Sequence, residues 1–244
     1  MGKGGLTKGK RLYTMLTFFF EKLDMNIFDI IGPVMIGPSS SHTAGAARIG
    51  YVASKLLGES PVHAHILLHG SFASTGLGHG TNRALVAGIL GMKPDDERLR
   101  DSLEIAQEMQ LEVVFENVEL DSAHPNTTII ELTGKSGKKK VVEGASIGGG
   151  NIEIVRIDGH NLSISGHFPT IIVSHDDIPG SISKITRIVG ESGYNIFQVH
   201  VGRDKRGGTA IMSLELDGNF VNSEVKQHIL ELSCAKEVTL LQPY

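Results

Sequence analysis

Apolar residues recur at helical spacing in Ala44, Ala47, Ile49, Val52 and Leu56, which predicts a helix over 43–57. The pattern then alternates from Val62 to His69, with Val62, Ala64, Ile66 and Leu68 on one face of a predicted strand. A Gly-rich stretch, Gly70–Gly80, reads as a loop leading into a second helix over 81–90. Asp95–Met109 predicts a third helix, with acids in its first turn. From Leu111 the period is two, so 112–120, 127–133, 139–147, 151–157 and 161–166 read as strands. Lys135-Ser136-Gly137-Lys138 supplies a hairpin turn. This first part is α+β, with helices early and an antiparallel sheet later.

Gly166-His167-Phe168-Pro169 marks a boundary. Beyond it the pattern gives strand 170–174, helix 180–192, strand 194–203, strand 209–216, helix 221–232 and strand 236–241. A βαββαβ order of that size is the ferredoxin-like arrangement. The expected divisions are 1–24, 25–166 and 167–244.

Composition sharpens the picture in three places. The chain has 244 residues, 40% hydrophobic and 20% charged, enough to bury a core. Its one cysteine, Cys234, excludes an intramolecular disulfide and a self-contained thiolate iron–sulfur or four-cysteine zinc site, and it fits a reduced, cytoplasmic setting. Residues 25–244 carry 18 Lys/Arg against 25 Asp/Glu, a poor footing for nucleic acid. No apolar run reaches the roughly 20 residues of a membrane helix. Residues 1–24 are basic and then apolar, like a signal peptide without a small-residue cleavage site. We expect them to be a disordered or mis-assigned extension, with Met25 as the natural start.

The chemistry concentrates in Gly37-Pro38-Ser39-Ser40-Ser41-His42-Thr43-Ala44-Gly45. A helix start offers unpaired N–H groups and a positive dipole end, which suits a carboxylate. The hydroxyls of Ser39, Ser40, Ser41 and Thr43 add donors, and the dipole favours a neutral His42 able to act as a base. One helix cap needs one hydroxyl, and here there are four. A similar run, Gly70–Arg83, carries His79 and places Arg83 to contact a carboxylate. Its glycine spacing is not that of a dinucleotide site. His63, His65 and His69 share one strand face, read as a polar face rather than a metal site. Asp121–Thr128 holds His124 and Asn126 in a turn, and Gly148-Gly149-Gly150 permits close backbone approach.

Four motifs, Gly37–Gly45, Gly70-Ser71 with Thr75–Arg83, His124-Pro125-Asn126 and Ile147–Ile152, together resemble the β chain of iron–sulfur-dependent L-serine dehydratase. Residues 170–241 resemble an ACT domain, and the first part resembles the allosteric substrate-binding domain of some phosphoglycerate dehydrogenases. The resemblance implies conversion of L-serine to pyruvate and ammonia, with a [4Fe–4S] cluster held by a partner α chain. It makes His42 the candidate base, with Ser39, Ser40, Ser41 and Thr43 binding substrate or orienting it. Arg83, named above for a carboxylate, His79, His124 and Asn126 join the same cleft. In the ACT part, His175, Asp177, Gly180 and Asn195 match an amino-acid effector site, except that Asp177 replaces an asparagine. Self-association through the ACT parts is implied as well. A stand-alone amino-acid sensor is the alternative, and several cysteines in a neighbouring reading frame would argue against it.

Overall fold

A computed structural model describes residues 35–203 and 205–243, with the side chains of Leu77 and His79 excepted. The expectation for residues 1–24 lies outside these residues, as does the side-chain part of the His79 assignment.

The first helix, α1 (Ala46–Leu57), turns Ala46, Ala47, Ile49, Val52, Ala53 and Leu56 inward and ends at Gly58, whose φ of 77° gives the left-handed stop. Strand β1 (Pro61–His69) follows, then α2 (Gly70–His79) and α3 (Thr81–Ile89). Helices α1 and α3 cross at two glycines. A Cβ on Gly50 would lie 2.2 Å from the Leu85 carbonyl oxygen, and one on Gly88 would lie 1.9 Å from that of Ala47. Backbone contact at that range brings both helices down onto the same sheet.

That sheet has six strands, ordered β2-β1-β3-β4-β5-β6. They are β2 (Glu112–Val118), β3 (Thr127–Gly134), β4 (Lys139–Gly148), β5 (Asn151–Ile157) and β6 (His160–Ile164), with β1 inside. Ala64, Ile66, Leu68, Ile130, Leu132, Val142 and Ile154 face the helices and form the core with α1 and α3.

Four readings of the pattern change. The sheet is mixed, because β2 pairs parallel to β1. The chain between them runs through α2, α3 and α4 (Ser102–Glu108), a helical crossover that returns it to the same end. Gly70–Gly80 is helical rather than a loop, packed on β1 and on the β3 entry. The predicted helix over 95–109 splits into a 3-10 turn, Glu97–Asp101, and α4. Val62 is 36% exposed, since the ladder shifts register between Pro61 and His63 and drops it from the buried face.

The opposite face of β1 carries the histidines. Both nitrogens of His65 meet carboxylates, Nδ1 at 3.2 Å from Glu131 and Nε2 at 3.0 Å from Glu116. Carboxylates only accept, so both contacts are hydrogen bonds only in the imidazolium. Glu131 first, and Glu116 with it, raise the His65 pKa against the opposing effect of partial burial. The folded pKa lies above the unfolded value, so this stabilisation is complete below about pH 6.5 and lost as pH rises through the folded pKa. Urea unfolding of wild type and H65Q over a pH series should therefore show a difference that shrinks with rising pH. A growing difference would contradict the arrangement. No group of three potential metal-binding side chains forms among the described residues.

The second sheet is ordered β10-β7-β9-β8, from β7 (Thr170–Asp176), β8 (Ile196–Arg203), β9 (Thr209–Leu216) and β10 (Ala235–Leu241). With α5 (Ser181–Glu191) and α6 (Ser223–Leu230) it makes the expected βαββαβ unit. Ile171, Val173, Met212 and Leu214 face the two helices, packing on Ile185, Val189, Val225 and Ile229. Cys234 is buried beside this layer.

The other face of this sheet is not free. Ile172, Ile211 and Leu241 belong to the same core as α1 and β6. Lys140 of β4 is buried between Asp158 at 2.8 Å and Glu237 of β10 at 3.2 Å, while Lys138 also meets Glu237. Burial works to lower the Lys140 pKa, but the two carboxylates outweigh it and raise it. Glu215, 2% exposed, accepts from both the N–H and the hydroxyl of Ser165, which pins the connecting segment.

Candidate active site

The run Ser40–Gly45 is a π turn that leads directly into α1. Single turns of this wider winding recur at functional sites. Ser39 caps it, accepting from the His42 N–H at 3.3 Å. Two glycines bracket the run for contact reasons. A Cβ on Gly37 would sit 2.3 Å from the Thr43 hydroxyl, and one on Gly45 would sit 2.1 Å from that of Ser146 on β4. Only glycine lets the turn lie this close to its own Thr43 and to the sheet.

His42 is partly buried at the centre of a hydroxyl cluster. Its Nδ1 is 3.2 Å from Ser39 Oγ, and its Nε2 is 3.1 Å from Ser71 Oγ and 3.0 Å from Thr75 Oγ1. Phe72 meets the ring edge-on, with centroids 5.4 Å apart. Ser71, Phe72 and Thr75 all lie on the first turns of α2. Gly70 has a φ of 55° and packs on Pro125, whose carbonyl accepts from the Ser71 N–H at 2.7 Å. That contact ties the His124-Pro125-Asn126 turn to the helix.

Asn126 and Ser146 complete a second polar patch beside Gly45. The Asn126 amide donates to the Ser146 carbonyl at 3.3 Å, and the Ser146 N–H donates back to the Asn126 carbonyl. The Asn126 Oδ1, the Ser146 hydroxyl and the Thr43 hydroxyl are buried with no hydrogen-bond partner among the described residues. Buried polar atoms are normally satisfied, so three unpartnered oxygens this close to the His42 turn set the patch apart.

The predicted residues thus separate into groups. Ser39 and His42 touch each other, and Asn126 stands in the adjoining patch. Ser40 and Ser41 are within the π turn, and their hydroxyls find no partner among the described residues. His124 is exposed and accepts from the Asn126 N–H, so it shapes the turn. Arg83 lies 3.9 Å from Glu104 and lines a cleft of about 290 Å³ with Gly37, Thr43, Gly78 and Arg100, so this cleft shares Thr43 with the His42 turn. Ser71, Thr75 and Ser146 were not assigned roles from sequence. Their signal was the four-residue spacing of Ser71 and Thr75, legible only if 70–80 is taken as a helix.

In the second unit, His175 is buried, with Nδ1 donating to the Asp176 carbonyl at 2.9 Å and Nε2 without a partner among the described residues. Asp177 accepts from the Gly207 N–H at 3.0 Å and from Arg203 at 2.9 Å, and these two in that order lower its pKa. Its carboxylate therefore clips the loop to the β8–β9 hairpin. Gly180 caps α5 with a φ of 91°. Asn195 donates to Asp217 at 2.5 Å, at the end of the sheet where β7 begins. His175 is at the other end, a strand length of roughly 20 Å away. One copy of the chain does not bring them together.

Comparison with known proteins adds the family. The profile described as serine dehydratase beta chain matches residues 26–110, and that of the ACT domain matches residues 169–233. The chain is 41% identical over 206 residues to the probable L-serine dehydratase beta chain of Bacillus subtilis, covering 84% of this chain and 91% of that one. It is 40% identical over 201 residues to the L-serine dehydratase beta chain of Peptoniphilus asaccharolyticus, covering 82% and 90%. A D-3-phosphoglycerate dehydrogenase of Methanocaldococcus jannaschii is 34% identical over 113 residues, 46% of this chain and 21% of that protein.

Proposed function

Because this chain belongs to the serine dehydratase beta chain family, we propose that it works as one half of an L-serine ammonia-lyase, with His42 as the base. The observation that carries this reading is the imidazole held among Ser39, Ser71 and Thr75 at the start of a helix. His42 takes the α-proton of serine, and the C–H electron pair becomes the Cα–Cβ double bond as the β-hydroxyl leaves. The aminoacrylate released tautomerises and hydrolyses to pyruvate and ammonia. Ser39, Ser40, Ser41 and Thr43 hold the carboxylate and ammonium, with Asn126 in the adjoining patch and His79, His124 and Arg83 at the margin.

A [4Fe–4S] cluster takes cysteine thiolates as ligands. This sequence holds one cysteine, Cys234, and it is buried. The residues of this chain do not fit such a cluster, and in this reading its ligands belong to a partner α chain. The setting proposed is cytoplasmic, and no helix among the described residues is long and apolar enough to cross a membrane. The functional division follows 25–166 for the base and 167–244 for amino-acid sensing.

The sensing part has an open edge. Val199 and Val201 of β8 are about two-fifths exposed although they stand on the same face as Leu214 and Met212. Antiparallel pairing of two β8 edges would set Asn195 of one copy near the Asp177 clip of the other. That would assemble the effector residues His175, Asp177, Gly180 and Asn195 across two chains.

The experiment is anaerobic reconstitution with the cluster-bearing chain, assayed for pyruvate from L-serine and sized by light scattering. Activity in the mixture alone, in a particle with two copies of this chain, is expected. Equal activity without the partner would contradict the proposal. No activity in the mixture would favour the stand-alone sensor suggested by the dehydrogenase relatives.

A further inference from the structure

We infer that Thr75 is a positioning residue that fixes His42 as the Nε2–H tautomer, so that Nδ1, beside Ser39, is the atom that accepts the substrate proton. The inference rests on the reading of His42 as the base and goes one step deeper. Thr75 Oγ1 is 2.8 Å from the carbonyl oxygen of Ser71, one helical turn back. A carbonyl has no proton to give, and two oxygens at that range repel unless a hydrogen lies between them. The single hydroxyl proton of Thr75 is therefore committed to Ser71. What Thr75 presents to His42, at 3.0 Å from Nε2, is a lone pair. Nε2 must then carry the hydrogen.

The other side of the ring agrees. Ser39 Oγ accepts from the His42 N–H, which leaves its own proton free to point at Nδ1, 3.2 Å away. Nδ1 as an unprotonated acceptor satisfies that contact. Ser71 Oγ, 3.1 Å from Nε2, shares the Nε2–H as a second acceptor, and its own proton points to Thr75 Oγ1, 3.5 Å away, whose proton is already committed. Every hydroxyl of the cluster then has a consistent donor and acceptor assignment. When substrate arrives, the α-proton passes to Nδ1 and its bonding pair moves into the Cα–Cβ bond as the β-hydroxyl leaves. The resulting imidazolium has its Nε2–H already held by Thr75, so the new charge needs no rearrangement of the ring.

The test reads the tautomer directly and does not depend on turnover. The full chain, labelled with 15N-histidine, is observed by long-range 15N–1H correlation spectroscopy, with H42Q identifying the His42 signals. Wild type and T75S should show a pyridine-type Nδ1 and a pyrrole-type Nε2. T75V keeps the shape but removes the acceptor, and should show a mixture of the two tautomers. In the reconstituted enzyme T75V should lose about 10²-fold in kcat at little changed KM, with T75S recovering most of it. A pyrrole-type Nδ1 in wild type, or a T75V spectrum identical to it, would overturn the inference. The expected spectra together with full activity in H42Q would leave the tautomer in place and remove the base assignment instead.

Discussion

His42→Gln should lower kcat for pyruvate formation by about 10³-fold in the reconstituted enzyme, with KM changed only a few-fold. The size follows from general-base catalysis, which contributes about 10²–10⁴-fold. Glutamine keeps a polar group of similar reach among Ser39, Ser71 and Thr75 but has no basic lone pair for a C–H proton. The π turn should survive, because its cap runs through the His42 backbone N–H rather than its ring. A circular dichroism spectrum and thermal midpoint near those of wild type would separate loss of the base from loss of the fold.

Gly88→Ala should be the most damaging conservative change in the first core. Its new methyl would lie 1.9 Å from the Ala47 carbonyl oxygen and 2.7 Å from the Tyr51 nitrogen, both backbone atoms of α1 that cannot rotate away. The helices must separate, and overpacking of that kind costs about 3 kcal/mol. For a chain of this size that is roughly 6–12 °C in Tm. Gly190→Ala in α5 is the control, since nothing lies within 4 Å of a Cβ there and its φ is not positive. It should be neutral or slightly stabilising. Equal midpoints for G88A and wild type would show that α1 and α3 do not meet through these glycines.

Much of this architecture was legible in the hydrophobic pattern. Period-two runs located β3, β4 and β5, and the βαββαβ unit was read in full, because its short apolar runs are separated by clear turn signals such as Gly180, Gly193 and Gly207-Gly208. Helix α2 was not legible. Gly70, Gly76, Gly78 and Gly80 read as a loop by propensity, yet Gly70 is there to approach Pro125 and Gly76 to lie against Asn82 and Thr81. Tertiary contact overrode propensity. The parallel placement of β2 was equally hidden, since strand direction follows from the helical crossover and leaves no trace in alternation.

The site divided along the same line. Ser39 and His42 are neighbours in sequence, and a local motif sufficed to find them. Ser71 and Thr75 reach His42 only through the packing of α2, so missing that helix meant missing the residues that hold Nε2. Arg83 lines a neighbouring cleft that meets the same turn at Gly37 and Thr43, one residue from His42. Asn195 was grouped with His175 by the resemblance to an ACT effector site, and within one copy the two stand at opposite ends of one sheet.

The account centres on proton removal from the substrate α-carbon by His42. The most direct measurement is the kinetic isotope effect on kcat/KM with L-serine deuterated at the α-carbon, in the reconstituted enzyme, for wild type and H42Q. The account predicts a primary effect that grows in H42Q, where the residual turnover waits on the C–H bond without its base. An H42Q enzyme with an unchanged rate and an unchanged isotope effect would contradict it.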